Sequence, residues 1–337
     1  MPIPDLGQDA AALRQLMVRL GLAAEGDPVD AIPLAGGVSS GIYRVRLRGG
    51  DVCVKQALPK LKVAKDWFAP VERVFHEAAY LREAAAIVPV HVPRVLADDR
   101  ETCSMAMEFL GARHLNWKAE LLAGRVDVAM AGTVGDVLGR IHAATAGQPR
   151  LAEAFATDAN FHAIRLEPYL VESARVHPAL ADRLLSLVHV TASTRRVLVH
   201  GDVSPKNILL GPAGPVLLDA ECAWYGDPAF DLAFCLNHFL LKAAHLPAHA
   251  RSLLDGAAAF IGGYWPHVHW ERREDLDART AALLPGLSLA RVDGKSPVEY
   301  LDAPTREAVR REALELLRSS AADLQSLLRR WESAFLP

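Results

Sequence analysis

Four cysteines in 337 residues are too few and too scattered to organise this chain. Cys53, Cys103, Cys222 and Cys235 form no C-x-x-C pair, which argues against a disulfide framework and favours reduced thiols in the cytoplasm. A basic excess is missing as well. The 37 Lys and Arg stand against 40 Asp and Glu, for a net charge of -3, so the electrostatic footprint of a nucleic-acid-binding protein is not there. No run of about 18 or more uncharged apolar residues occurs, so no membrane span is expected. The opening MPIPDLGQDAAALRQLM carries Asp5 and Asp9 where a secretory leader would carry Lys or Arg. Solenoid-period repeats and low-complexity tracts are also lacking.

What remains is a chain with 51% hydrophobic and 23% charged residues, enough to bury a large core in one domain or two closely joined lobes. Leu13, Leu16, Met17 and Leu20 recur at helical spacing up to Gly21 and predict a leading helix. AIPLA, IYRVRL and VCVKQ, separated by the turns GGVSSG and RGGD, predict a three-stranded antiparallel meander. LPKLKVAKDWFAP is a loop by its prolines. The next segment, PVERVFHEAAYLREAAA, predicts a helix, and VPRVLADD and TCSMAMEFL predict two more strands. After Gly111 helical periodicity takes over, in VDVAMAGTVGDVLGRIHAAT, HPALADRLLSLVHVTAST and one long run, TREAVRREALELLRSSAADLQSLLRRW. The division falls between a strand-rich lobe, residues 1–110, and a helical one, residues 111–337.

One stretch interrupts the helical pattern. VLVHGDVSPKNILL sets His200, Asp202, Ser204, Lys206 and Asn207 between apolar strands, and Asp219 ends the following strand VLLD. Phosphoryl transfer needs a carboxylate to orient the attacking hydroxyl and take its proton, and an amide and a second carboxylate to hold Mg²⁺. Asp202, Asn207 and Asp219 supply that set. Polar turn residues alone would be the plainer reading, but the first lobe adds Lys55, on the third strand, and Glu77, in the next helix, a pair suited to the nucleotide phosphates. Gly36, Gly37 and Gly41, with Ser39 and Ser40, could bring N–H and hydroxyl donors near phosphate.

GGVSSGIYRV, VCVKQ, AMEFL, HGDVSPKN, LLDAE and GDPAFDLA follow one another as in the aminoglycoside phosphotransferase and choline kinase superfamily, which this chain resembles over roughly residues 30–240. The resemblance implies an α+β, bilobal, protein-kinase-like fold with ATP or GTP in the cleft as co-substrate. It further implies Asp202 as catalytic base, Asn207 and Asp219 as Mg²⁺ ligands, backbone groups of Glu108 and Leu110 against adenine, and Met107 behind the ring. Asp231 resembles the aspartate that braces the catalytic loop. Only eleven residues separate Asp219 from Asp231, and no A-P-E follows, too little room for a protein-substrate activation segment. Asp227 before Pro228 reads as a helix N-cap.

The acceptor is less legible. VKQALPKLKVAKDWFAP and DAECAWYGDPAFDLA are similar to segments of methylthioribose kinases, which implies a sugar or polyol hydroxyl. An aminoglycoside would call for carboxylates such as Glu221, Glu167, Asp158 and Asp275. Ser204 and Lys206 stand as candidates for contact with the γ-phosphate or the acceptor, and Arg291, Lys295 and Glu299 in ARVDGKSPVEYL as candidates for reaching the cleft. His267 and His269 lack the further ligands that a zinc site needs. A nucleotide-binding module without catalysis is the rival from another class.

Overall fold

The computed structural model describes residues 3–34, 39–60, 69–319 and 323–336. Helix α1 (Ala10–Arg19) opens on Asp9, whose carboxylate accepts from the Ala11 and Ala12 amides. Strands β1 (Asp30–Pro33), β2 (Ser40–Leu47) and β3 (Gly50–Ala57) follow as an antiparallel meander. Helix α2 (Arg73–Ile87) leads to β4 (Val95–Asp99) and β5 (Ser104–Glu108), and the five strands form one sheet in the order β1-β2-β3-β5-β4. Of the predicted GGVSSG turn, Ser40 and Gly41 belong to β2, while Gly36 and Gly37 lie outside the described residues, as do Lys62, Lys65 and Trp67 of the predicted loop.

Side-chain alternation divides this sheet between two cores. Tyr43, Val45, Val52, Val54 and Ala106 pack with Leu13, Leu16 and Met17 of α1. Cys53, Ala57, Met105 and Met107 point the other way and pack with Val74, Ala78 and Leu81 of α2. Lys55 shares the parity of Cys53 and Ala57, and it pairs with Met105 in the β3–β5 register. The pleat therefore aims Lys55 at α2.

The rest of the chain is mainly helical. A short strand β6 (Leu115–Asn116) precedes α3 (Trp117–Leu122), α4 (Val128–Thr145) and α5 (Pro149–Ala154). Helix α6 (Asp158–Phe161) continues through a π-helical segment (His162–Val171) into α7 (Glu172–Val176), and α8 (Ala181–Ser193) follows. Strands β7 (Val197–Val199), β8 (Ile208–Gly211), β9 (Gly214–Leu217) and β10 (Trp224–Gly226) carry the polar stretch. Strands β8 and β9 form the expected hairpin, but β7 pairs with β10 and β6 pairs with β8.

Helices α9 (Pro228–His245), α10 (Ala250–Tyr264), α11 (Arg273–Asp293), α12 (Ala303–Ser319) and α13 (Leu324–Phe335) complete the fold. Every residue from Pro228 to Ala244 is buried, which makes α9 the central rod of this lobe. The run predicted as one long helix is two, because Asp323 caps a new start by accepting from the Ser326 amide at 2.6 Å. Helices α4 and α10 approach so closely that a Cβ on Gly135 would lie 1.9 Å from the Phe260 carbonyl oxygen. Backbone cannot yield there as a flexible side chain would. Gly135→Ala is expected to lower stability by about 2–3 kcal/mol, read from the urea midpoint at unchanged m-value.

Candidate active site

Lys55 reaches from β3 toward α2 and meets Glu77 Oε2 at 2.5 Å; its ammonium also donates to Asp219 Oδ1. Its side chain is 3% exposed. Burial works against the ammonium, yet Asp219, Glu77 and Glu221 raise its pKa well above the ordinary lysine value. Burial lifts the Glu77 carboxyl above the usual range, with Lys55 opposing. Against the same penalty of burial, Lys55 and Lys206 hold Asp219 well below it. Asp219 has φ 66°, a left-handed backbone unusual for a residue other than glycine, at the turn out of β9 that carries its carboxylate to Lys55.

The loop after β7 is fixed from below. The Asp231 carboxylate, in the first turn of α9, accepts from the His200 and Gly201 amides, both at 2.8 Å. His142 Nε2 stands 3.3 Å from the same carboxylate, and its Nδ1 pairs with the Tyr264 hydroxyl at 2.8 Å. Gly201 has φ 79°, and a Cβ there would come within 2.7 Å of the Cys222 carbonyl oxygen, so a larger residue would displace the loop. His200 Nδ1 accepts from the Asp202 amide at 3.2 Å, and its ring packs edge-on against Tyr80. Burial lowers its pKa, so the imidazole is neutral and serves as a spacer.

Asp202 follows, with its side chain 4% exposed. Its Oδ2 lies 2.6 Å from Arg165 Nη2 and 3.4 Å from Lys206 Nζ. Arg165, from the π-helical segment, also donates through Nε to the Gly201 carbonyl at 2.6 Å. Asn207 Nδ2 donates to the Asp202 carbonyl at 3.2 Å, which directs its Oδ1 elsewhere; among the described residues that oxygen has no protein donor. The Leu218 amide donates to the Asn207 carbonyl at 2.8 Å, so the hairpin sets Asn207 beside the strand end that bears Asp219. The Ser204 hydroxyl is buried without a partner, while the Lys206 side chain is 45% exposed. Asp227 caps α9 through the Ala229 amide and pairs with Arg279.

The nucleotide candidates lie at the end of β5 and around the start of β2. Met107 is buried opposite Cys53, Glu108 is exposed and Leu110 half-buried. The Glu108 amide already donates to the Arg94 carbonyl at 2.9 Å, whereas Leu110 makes no backbone hydrogen bond among the described residues. The Ser40 hydroxyl is buried without a partner, and the Ser39 carbonyl accepts from the Leu58 amide and from Arg73.

Two arginines escaped the sequence reading as site residues. Arg165 belongs to no motif and sits in a helix, and only the fold brings it to Asp202. Arg73, fully buried, ties the Ser39, Leu58 and Pro70 carbonyls to Glu221, whose Oε2 lies 3.1 Å from its Nε. Glu221, one of the carboxylates that an aminoglycoside would call for, is thereby held in a buried ion pair. His267 pairs with Asp136, and Lys295 with Glu167.

A strand lysine paired with a helix glutamate, facing an H-x-D-x-x-x-x-N loop and a strand-end aspartate, defines the protein-kinase-like class of phosphotransferases. The chain matches the phosphotransferase enzyme family over residues 30–266 and belongs to that family. It is 27% identical over 247 residues to a methylthioribose kinase of Erwinia tasmaniensis, an alignment covering 65% of this chain and 62% of that protein, so the match spans about three fifths of the relative's length. Its fold is similar to that of an ethanolamine kinase from Plasmodium vivax, with a TM-score of 0.54, 14% identity and coverage of 96% of this chain and 87% of that one. The amicoumacin kinase hAmiN, solved with AMP-PNP and Ca²⁺, gives a TM-score of 0.53 at 13% identity, covering 92% and 95%.

The Asp231 carboxylate satisfies two buried amides at once, and its loss would leave both unpaired. Asp231→Ala is expected to destabilise the fold by about 3 kcal/mol, measured by denaturant unfolding. An effect below about 0.5 kcal/mol would show that the loop is held by other contacts.

Proposed function

We propose that this protein transfers the γ-phosphate of ATP or GTP to a hydroxyl of a small molecule, with residues 1–110 as the nucleotide lobe and residues 111–337 carrying the catalytic loop and acceptor site. The observation that carries this reading is the convergence of Lys55, Glu77 and Asp219 from three separate elements, with Asp202 and Asn207 held on the adjoining loop. The acceptor hydroxyl gives its proton to Asp202 while its oxygen bonds to the γ-phosphorus. The bond to the β,γ-bridging oxygen breaks, and ADP or GDP leaves. Lys55 binds the α- and β-phosphates, and Glu77 keeps that lysine in place. Backbone groups at Glu108 and Leu110 would face the adenine, with Met107 behind it, and Ser39 and Ser40 would donate to phosphate.

The donors fit a hard cation. Asn207 Oδ1, free of protein donors among the described residues, and the Asp219 carboxylate offer oxygen ligands alone, the set that Mg²⁺ prefers. Bound there, Mg²⁺ would neutralise phosphate charge. The AMP-PNP and Ca²⁺ in the hAmiN structure support nucleotide and divalent-metal use in a protein of similar fold.

A sugar or polyol acceptor, as in the methylthioribose kinases, is favoured over a polyamine. Most of the carboxylates that would receive ammonium groups are already paired: Glu221 with Arg73, Glu167 with Lys295 and Arg175, and Asp158 with Arg195. Four free, buried cysteines fit the reduced thiols of a cytoplasmic enzyme.

ATP or GTP consumption against a panel of sugars, amino alcohols and aminoglycosides tests the reading. Asp202→Asn should lower kcat about 10³-fold with nucleotide binding retained, and a chelator should abolish turnover. Lys55→Met should raise the nucleotide KM about tenfold or more. Normal turnover by Asp202→Asn would sink the mechanism, and nucleotide binding with no acceptor-dependent turnover would favour a binding module.

A further inference from the structure

Asp231, Phe234, His238 and Lys242 follow at spacings of three and four along α9 and so share one face. Asp231 holds the catalytic loop. Phe234 lies 5.6 Å from the Arg165 guanidinium and meets the His238 ring edge to face at 5.5 Å. One turn on, Lys242 is fully buried, yet its Nζ has only the His238 carbonyl at 3.4 Å and the Tyr300 ring at 5.3 Å. Among the described residues no carboxylate stands within ion-pair distance of it. A buried ammonium without a counter-ion is costly. Burial, with Lys118 and Arg291 nearby, lowers its pKa to about 7.

Other elements bring more positive charge to the same place. Lys118 of α3 lies 5.9 Å from the same Tyr300 ring. Arg291 of α11 lies 5.8 Å from the Tyr169 ring, which Arg165 approaches at 5.9 Å from the catalytic side. Lys206 comes from the catalytic loop itself. After burial, Lys242, Arg291, Lys206 and Lys118 all act to depress the basicity of His238.

Their partners do not balance them. Asp202 answers Lys206, and Glu299 answers Lys118. Among the described residues Arg291 bonds through Nη1 to neutral oxygens alone, those of Tyr169 and Ser296, and its Nε is buried without a partner, as is the Tyr300 hydroxyl. Lys242 and Arg291 are left over.

We infer that the acceptor carries an anionic group, a carboxylate or a phosphate ester, seated against Arg291 and Lys242 with the Tyr300 hydroxyl as a further donor, while its reactive hydroxyl meets Asp202. This rests on the phosphotransferase reading and adds the acceptor's charge to it. Helical rise puts His238 about 10 Å and Lys242 about 16 Å along α9 from Asp231.

Calorimetric binding of D-gluconate, D-glucose 6-phosphate and neutral D-glucose to the full chain, with AMP-PNP and Mg²⁺ present, tests the inference. At least one anion should bind about tenfold or more tightly than glucose. Gluconate alone would point to a carboxylate acceptor, glucose 6-phosphate alone to a phosphate ester, and both to a general anion site. Arg291→Met and Lys242→Met should each remove most of that preference, whereas Lys295→Met, whose ammonium is spent on Glu167, should keep it. Equal binding of all three sugars, or binding of none, overturns the proposal, and because this comparison uses the unmodified chain it does not depend on how the variants fold. Nucleotide titration in the same series separates the two readings: anion binding without nucleotide binding would sink the phosphotransferase reading and leave the anion site standing.

Discussion

One buried ammonium holds the two halves of the site together. Lys55 has two carboxylates on it, Glu77 from the same lobe and Asp219 from the other, and its near-complete burial leaves little water to screen them. Charges about 4 Å apart attract by about 4 kcal/mol at an effective dielectric near 20, so strand, helix and strand end are drawn to one point. The two carboxylates are not equivalent. Glu77 is enclosed, with Oε1 lacking a partner, whereas the Asp219 side chain is 25% exposed and held by a left-handed turn. On the proposed function, Asp219 is therefore the partner that a cation and phosphate would take from Lys55, while Glu77 keeps the lysine aimed.

The catalytic loop depends on a second carboxylate used in another way. Asp231 bears no role in the chemistry; it accepts two amides of the loop backbone and is backed in turn by His142 and Tyr264, from α4 and α10. Because α4 and α10 are locked by their close approach at Gly135, the position of Asp202 is set by the main helical packing. Preorganisation of this kind lets a small set of polar groups act without reorganising during transfer.

Much of this was legible in short-range pattern. Period-2 alternation in VCVKQ put Lys55 on the face opposite Val52 and Val54, and the apolar strands around HGDVSPKN marked a polar loop held between rigid elements. The N-cap at Asp227 followed from the proline after it. Arg165 was not legible, because its contact with Asp202 crosses from the π-helical segment to the loop after β7, and no local periodicity reports such a meeting. Arg73 is similar: apart from Glu221, far along the chain, its hydrogen bonds go to carbonyls, which sequence does not distinguish. The pairing of β7 with β10 and the break between α12 and α13 were hidden for a different reason, since each element alone carried the right pattern and only the partner or the cap decided the outcome.

The division between what is fixed and what is free to vary follows the chain. The family match ends at residue 266, and within it lie Lys55, Glu77, Asp202, Asn207, Asp219 and Asp231. Arg291, Glu299 and Tyr300 lie beyond it, on α11 and the segment after it, and they close around Lys118 and Lys242 from inside the match. The residues of the proposed phosphate chemistry therefore lie within the family match, and the proposed acceptor wall is completed by residues beyond it. A wall assembled from both can change its charge without disturbing Asp202, because Tyr169 and Phe234 stand as aromatic spacers between Arg165 and the outer cations. In this chain the outer part is positive, the opposite of what an ammonium-bearing acceptor would require.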